Sequence, residues 1–249
     1  ESKCGTTSLY NYMIQHPAIK SALSKEINFF NWSYGKPLNW YRGHFPTKFK
    51  KNLSKNVFKK PFLTGEATPL YLFNALVPKR IFKIIPNVKI IIILRNPIDR
   101  AYSHYHDLGV RLGKDKKIFD DAIRSEIKIL EEKNYMITDY DGNFTERLYQ
   151  YVARGIYLDH LKIWMEIFPK KQFLILKTEE LEKNTSKILN NVFEFLSLPS
   201  YNKINFEKKH NVSKYELMSD SSRDLLKKFF EPHNKRLYKF LKHDFEWNS

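Results

Sequence analysis

Lys3-Cys4-Gly5-Thr6-Thr7-Ser8-Leu9 runs straight into apolar positions at Leu9, Tyr12 and Met13, a helical spacing that meets His16-Pro17. The residue before a proline avoids the helical region, so the spacing predicts a helix from Gly5 to Gln15. A helix start exposes unpaired N–H groups and about half a positive charge. Gly5 lets the backbone approach an oxyanion closely, Thr6 and Thr7 add hydroxyls, and Lys3 adds a full charge. The segment therefore reads as a cradle for a phosphate or sulfonate. An ordinary N-cap beside a surface lysine is the plainer alternative. The lysine precedes the glycine, unlike G-x-x-x-x-G-K-[ST], which argues against nucleoside triphosphate hydrolysis.

A second anion-binding pattern lies further on. Val88-Lys-Ile-Ile-Ile-Ile-Leu94 is the best strand signal in the chain, its β-branched run suiting a buried parallel strand. Asn96-Pro97 then starts a helix, with proline where its missing N–H costs least. Arg95 ends the strand and Ser103 sits two turns into the helix, at the strand terminus where open α/β sheets bind ligands. Two such segments imply a ligand with anionic groups at two places.

Other segments give weaker signals. Lys25 to Phe30 and Phe62 to Thr68 read as short strands, and Ala75 to Ile85 as an amphipathic helix. Asp120 to Lys133 reads as a helix, and Thr145 to Phe168 as a long one with a break at Gly155. Gln172 to Leu176 reads as a strand, while Glu179 to Leu196 and Asp220 to Leu241 read as helices. Strands alternating with helices predict a central parallel sheet flanked by helices on both faces, in one α/β domain over residues 1–249. Only Glu1 and Ser2 precede the turn, so the start of the first strand is expected to lie before residue 1.

The 249 residues are 42% hydrophobic, enough for a sizeable core, and no apolar run approaches the ~20 residues of a membrane span. The single cysteine, Cys4, excludes an intrachain disulfide and fits a reducing, cytoplasmic location. The net charge of +16 suits an anionic ligand. Nucleic acid is the weaker partner, because the lysines are scattered and no nucleic-acid-binding signature appears. The eight histidines show no metal-ligand spacing, so no metal is expected.

Lys-x-Gly-Thr-Thr-x-Leu followed by a helix ending in His-Pro resembles the 5′-phosphosulfate loop of sulfotransferases. Arg95-Asn-Pro-x-Asp-Arg-Ala-Tyr-Ser103 resembles their 3′-phosphate segment. Lys25-Glu26-x-x-Phe29-Phe30 resembles the motif carrying the catalytic glutamate in the branch related to glycosaminoglycan sulfotransferases. Gly65-Glu66-Ala-Thr-Pro-x-Tyr71, Arg154-Gly-x-Tyr157, Phe229-Phe-x-Pro-x-Asn234 and Trp247-Asn248 match further segments of that branch.

The resemblance implies a fold like that of P-loop-containing nucleoside triphosphate hydrolases. It also implies 3′-phosphoadenosine 5′-phosphosulfate as donor, the corresponding 3′,5′-bisphosphate as product, and no metal. It assigns Lys3 to the leaving bridging oxygen and Glu26 to the acceptor proton. Cys4, Gly5, Thr6, Thr7, Ser8, Arg95, Ser103 and Tyr157 would join Lys3 in binding the donor. Lys208 and Lys209 fall where the family's basic donor loop lies, although the Gly-Arg pattern is absent. Partial burial beside Phe29 and Phe30 would raise the pKa of Glu26.

Plainer roles stand beside these. Glu26 can pair with Lys25, and Arg95 with Asp99 or Glu66. His16, before proline, reads as structural, and His104 reads as packed rather than as an alternative base. Cys4 has no partner that would make it a nucleophile. The aromatic stretch from Phe29 to Tyr41 can line an acceptor cleft or form a satellite cluster, and Lys48 to Lys60 can attract an anionic acceptor or form a solvated face.

Two departures turn the expectation away from glycosaminoglycan acceptors. Ala67 stands where those enzymes commonly carry lysine, and one cysteine cannot close their C-terminal disulfide loop. The acceptor class stays open among small molecule, lipid and glycan, with a hydroxyl favoured over an amine. A small-molecule kinase using ATP and magnesium and a polyanion-binding module are the alternatives.

Overall fold

A computed structural model of the chain describes residues 1–57, 59, 61–111, 113, 117–132, 150–206 and 215–248. These fall into two compact units. The first comprises Glu1, Gly5–Leu94 and Phe168–Val212. The second comprises Ser2–Cys4, Arg95–Ile167 and Ser213–Ser249.

The first unit holds every strand found among the described residues. β1 (Ile19–Ser21) pairs in parallel with β2 (Leu63–Gly65), and β3 (Ile90–Leu94) in parallel with β4 (Phe173–Lys177). The single central sheet expected from the sequence thus appears as two parallel pairs. β3 is the isoleucine run, and Ile92, Ile93 and Leu94 are buried. Gln172 fixes the entry of that pair by donating through Nε2 to the carbonyls of Pro86 (3.0 Å) and Val88 (2.6 Å).

The helices of this unit are α1 (Thr6–Met13), α2 (Leu38–Arg42), α3 (Lys48–Asn52) and α4 (Leu76–Ile84). They are followed later in the chain by α8 (Thr178–Lys183) and α9 (Thr185–Phe195), both packed on β4. The one helix expected from Glu179 to Leu196 is two, because Asn184 leaves the helical region at φ −138° and ψ 55°. After α1, His16 Nδ1 accepts the N–H of Ala18 and Nε2 lies 3.1 Å from the Pro199 carbonyl. The structural role expected of His16 is what its contacts show.

Lys25 to Phe30 is irregular instead of a strand. Asn28 takes a left-handed φ of 56°, which breaks the extended run, and the nearby strand is β1, upstream of it.

The second unit is helical: α5 (Pro97–His104), α6 (Phe119–Glu132), α7 (Tyr157–Ile167) and α10 (Asp220–Leu241). Asn96 caps α5 by accepting the N–H of Ile98 at 3.0 Å, with Pro97 at the first helical position. A π-helical segment, Tyr105–Arg111, continues α5. Of the long helix expected from Thr145, the described residues hold α7, preceded by a 3₁₀ turn at Ala153–Gly155; residues 145–149 lie outside the described ones. α10 packs against α5 and α7. Ile98, Ile123, Val152, Ile156, Leu226 and Phe230 centre the core. No helix among the described residues is long and apolar enough to cross a membrane.

Gly155 is where this core is tightest. A Cβ there would sit 2.7 Å from the Phe230 ring and 2.9 Å from Pro97 Cβ. Both neighbours belong to packed elements and cannot swing aside. Gly155→Ala is expected to destabilise the protein by about 1–3 kcal/mol, the usual cost of overpacking. Thermal unfolding at unchanged Tm would contradict this packing.

Candidate active site

The turn before α1 is built by two left-handed residues, Lys3 at φ 64° and Gly5 at φ 78°. Glycine adopts that region without strain; lysine does so at a cost the surrounding contacts must meet. A Cβ on Gly5 would make only ordinary contacts, the nearest at 3.6 Å from Thr178, so its requirement is conformational and not one of space. α1 then begins with Thr6, Thr7 and Ser8, with no side-chain cap and no acidic residue in its first turn. The helix end thus presents its amide groups with neither a side-chain cap nor an acidic residue in its own first turn. That is the arrangement an oxyanion needs.

In the second unit, Ser2 to Cys4 are held by a set of polar contacts. Arg95 Nη1 donates to the Lys3 carbonyl at 3.3 Å, and Tyr157 donates its hydroxyl to the Arg95 carbonyl at 2.8 Å. Cys4 Sγ lies 4.0 Å from the same Tyr157 hydroxyl, and Arg154 Nη2 donates to Ser2 Oγ at 3.0 Å. Lys3 Nζ lies 3.5 Å from Asp107 on the π-helical segment. Lys3, Cys4, Arg95 and Tyr157 therefore form one cluster. Tyr157 holds the Arg95 backbone, and Cys4 is fully buried. Of the acidic residues weighed as partners for Arg95, Asp99 pairs with Arg223 at 3.1 Å.

Ser103 is buried on α5, eight residues after Arg95. His104 beside it is 2% exposed, and its Nδ1 sits 3.2 Å from Arg100 Nη1. Burial, then the charges of Arg154, Arg100 and Lys3, push its pKa well below the usual imidazole range. His104 is neutral, held by Arg100, and is a packing residue. Glu126, half-buried, caps the backbone near this group. It accepts the N–H groups of Val152 (2.9 Å) and Ala153 (2.8 Å), and burial pushes its pKa up to about 7.

The first unit carries Glu26, where the structure departs from expectation. The side chain is 43% exposed and Lys25 Nζ contacts Oε1 at 2.6 Å. The expected burial beside Phe29 and Phe30 fails because Asn28 interrupts the strand, so Ile27, Phe29 and Phe30 turn inward and Glu26 outward. The aromatic stretch is mostly core: Phe29 stacks on Tyr41 with centroids 4.5 Å apart, while Trp32 is 53% exposed. Lys208 and Lys209 lie outside the described residues.

Glu66 lies in the Gly65–Tyr71 motif, where the sequence offers it only as a partner for Arg95; the structure gives it a different role. Tyr41 donates to Oε1 at 2.8 Å, Thr68 to Oε2 at 2.7 Å, and Tyr71 reaches both oxygens at 3.2 and 3.1 Å. The Ile27 amide also bonds the carboxylate, and the Ala67 N–H donates to the Lys25 carbonyl at 3.0 Å. Glu66 and its neighbour thereby clamp the backbone on both sides of Glu26. The hydroxyls arrive from Tyr41 and Tyr71, and only the folded chain brings Tyr41 close. The signal available beforehand was the Glu66…Thr68…Tyr71 spacing.

The sulfotransferase domain family matches residues 2–243. The chain belongs to the sulfotransferase family. Among similar proteins, the membrane-associated sulfotransferase kil1 of Dictyostelium discoideum is 25% identical, over 99% of this chain and 65% of its own length. Human heparan sulfate glucosamine 3-O-sulfotransferase 5 is 29% identical, over 98% of this chain and 71% of its own. The Drosophila melanogaster bifunctional heparan sulfate N-deacetylase/N-sulfotransferase is 26% identical over 96% of this chain, which spans 25% of that protein. The crystal structure of a sulfotransferase from Alicyclobacillus acidocaldarius superposes with a TM-score of 0.74 at 26% identity, covering 100% of this chain and 96% of that one.

Family membership makes the chain a sulfuryl-transfer enzyme with the sulfotransferase α/β fold, and the kinase alternative falls with it. The expected cytoplasmic location is corrected by the same comparison, since a relative matching nearly the whole chain is named membrane-associated. One buried cysteine constrains redox chemistry and does not fix a compartment.

Glu66→Ala would strand three hydroxyl donors and is expected to cost about 2–4 kcal/mol, with Glu66→Gln milder. Burial raises the Glu66 pKa above the usual carboxylate value. The native state therefore binds that proton more tightly than the unfolded chain, and stability falls as pH rises through the native pKa. Urea unfolding against pH should show a flatter profile for Glu66→Gln; an identical slope would contradict the assignment.

Proposed function

We propose that the protein transfers a sulfuryl group from 3′-phosphoadenosine 5′-phosphosulfate to an acceptor hydroxyl, with no metal. The observation that carries this reading is the uncapped, acid-free start of α1 behind a left-handed Gly5, next in the chain to the Lys3–Cys4 segment held by Arg95 and Tyr157. These residues suit a doubly anionic nucleotide. The amides and hydroxyls of Gly5, Thr6, Thr7 and Ser8 would hold the phosphosulfate. Arg95 and Ser103 would hold the 3′-phosphate, and Tyr157 keeps the Arg95 backbone in place. The donor, when bound, supplies an activated sulfuryl group on a phosphate leaving group.

Lys3 neutralises charge on the bridging oxygen as the S–O bond to phosphate breaks. It must leave Asp107 to do so, which makes that ion pair a resting arrangement of the lysine. Glu26 accepts the acceptor's hydroxyl proton as the new O–S bond forms. Its exposure suits a base that meets its partner only when an acceptor is bound. The clamp from Glu66 and Ala67 holds the backbone around it without immobilising its carboxylate. Catalysis then rests on alignment and charge neutralisation more than on covalent help from the protein.

A sugar hydroxyl is the acceptor class best supported, given relatives named for heparan sulfate glucosamine sulfation. The exposed Trp32, six residues beyond Glu26, would offer a stacking face.

Lys3→Ala is expected to lower transfer of labelled sulfur to a panel of sugar alcohols by about 10²-fold or more. Near-normal turnover would remove its role. Glu26→Gln should bind the donor product unchanged and lose most activity, whereas full rate would move the base elsewhere. Arg95→Ala should raise the donor KM more than it lowers kcat at saturation. Unchanged donor affinity would count against the 3′-phosphate assignment.

A further inference from the structure

From Ile27 to Gly65 the chain contains no Asp or Glu, and six lysines lie from Lys48 to Lys60. Within this stretch α3 and the π-helical turn Leu53–Val57 form a continuous ten-residue helical segment. None of its described residues is buried. Phe49, Leu53 and Val57 recur every four residues and are 73%, 37% and 64% exposed. That spacing gathers them on one side of the helix, with Lys48, Lys50 and Lys51 interleaved. A helix of this length is marginal in water without tertiary support. Among the described residues, nothing within its own unit buries a face of it. The segment has the composition of an element that is completed by an external surface.

We propose that residues 48–57 dock on an anionic lipid surface. Phe49, Leu53 and Val57 would enter the boundary between headgroups and acyl chains, while Lys48, Lys50, Lys51 and Lys59 meet the lipid anions. Three features favour a bilayer over other occupants. A polyanionic glycan would engage the lysines but leave the apolar stripe in water. Self-association through a two-fold axis would set this lysine-rich, acid-free face against its own copy. A lipid interface satisfies charge and apolar area together. The proposal concerns a surface outside the donor and proton-accepting residues, and it stands or falls independently of them.

The test is co-sedimentation of the full chain with vesicles of phosphatidylcholine containing phosphatidylserine, against pure phosphatidylcholine vesicles. The wild-type protein should sediment with the former, far less with the latter, and release at high salt. Two variants separate the contributions. The triple variant Phe49→Ser, Leu53→Ser, Val57→Ser and the double variant Lys50→Glu, Lys51→Glu should each weaken binding by about tenfold or more. All the altered side chains are exposed, so thermal unfolding should be unchanged and reports whether the fold survives. The proposal is overturned if the wild type fails to bind the anionic vesicles. It is also overturned if the triple variant binds them as well as the wild type, the behaviour of a purely electrostatic polyanion site. Loss of a dimer in the triple variant, without any vesicle binding by the wild type, would replace the lipid surface with a second copy of the chain.

Discussion

A helix that starts without a cap is the constraint on which the proposed chemistry depends. Most helix N-termini satisfy their free amides with a Ser, Thr, Asp or Asn side chain. α1 begins instead behind Gly5, which has no side chain to offer, in a left-handed conformation that few other residues tolerate. No acid follows in the first turn to neutralise the dipole. In the proposed reaction an incoming oxyanion would complete this helix. The contacts of Arg95, Tyr157 and Arg154 with the preceding residues keep Lys3 and Cys4 in register despite the unfavourable φ at Lys3.

The second unit supports its share of those contacts with buried charge. Arg100 and Arg154 are essentially inaccessible, with His104 and Glu126 beside them. Buried ionic groups contribute little net stability and penalise the loss of any one member. The geometry here explains what they secure. Burial keeps His104 neutral with Arg100 against its Nδ1, Glu126 ties down the amides of Val152 and Ala153, and Arg154 reaches Ser2. The 3₁₀ turn carrying Arg154 is thus fixed at both ends by polar contacts and pressed against Phe230 at Gly155.

Much of this was legible because local patterns decide it. The isoleucine run made β3, Asn96-Pro97 started α5, and the Lys3–Leu9 segment made the turn and α1. What escaped sequence reading depended on single backbone conformations or distant partners. A left-handed Asn28 cancelled the strand that would have buried Glu26, and Asn184 split a helix in two. Glu66 gained its hydroxyl from Tyr41, twenty-five residues away, and Lys3 its partner from Asp107, over a hundred residues away. The lysine-rich, apolar character of residues 48–57 was visible in the sequence, but that none of its described residues is buried is a property of the folded chain.

The most direct test is calorimetric titration of the protein with 3′-phosphoadenosine 5′-phosphate, in parallel with adenosine 5′-phosphate and with ADP plus magnesium. The account predicts tight binding of the first and a large loss of affinity when its 3′-phosphate is absent. No binding of the bisphosphate, together with clear binding of ADP and magnesium, would contradict it.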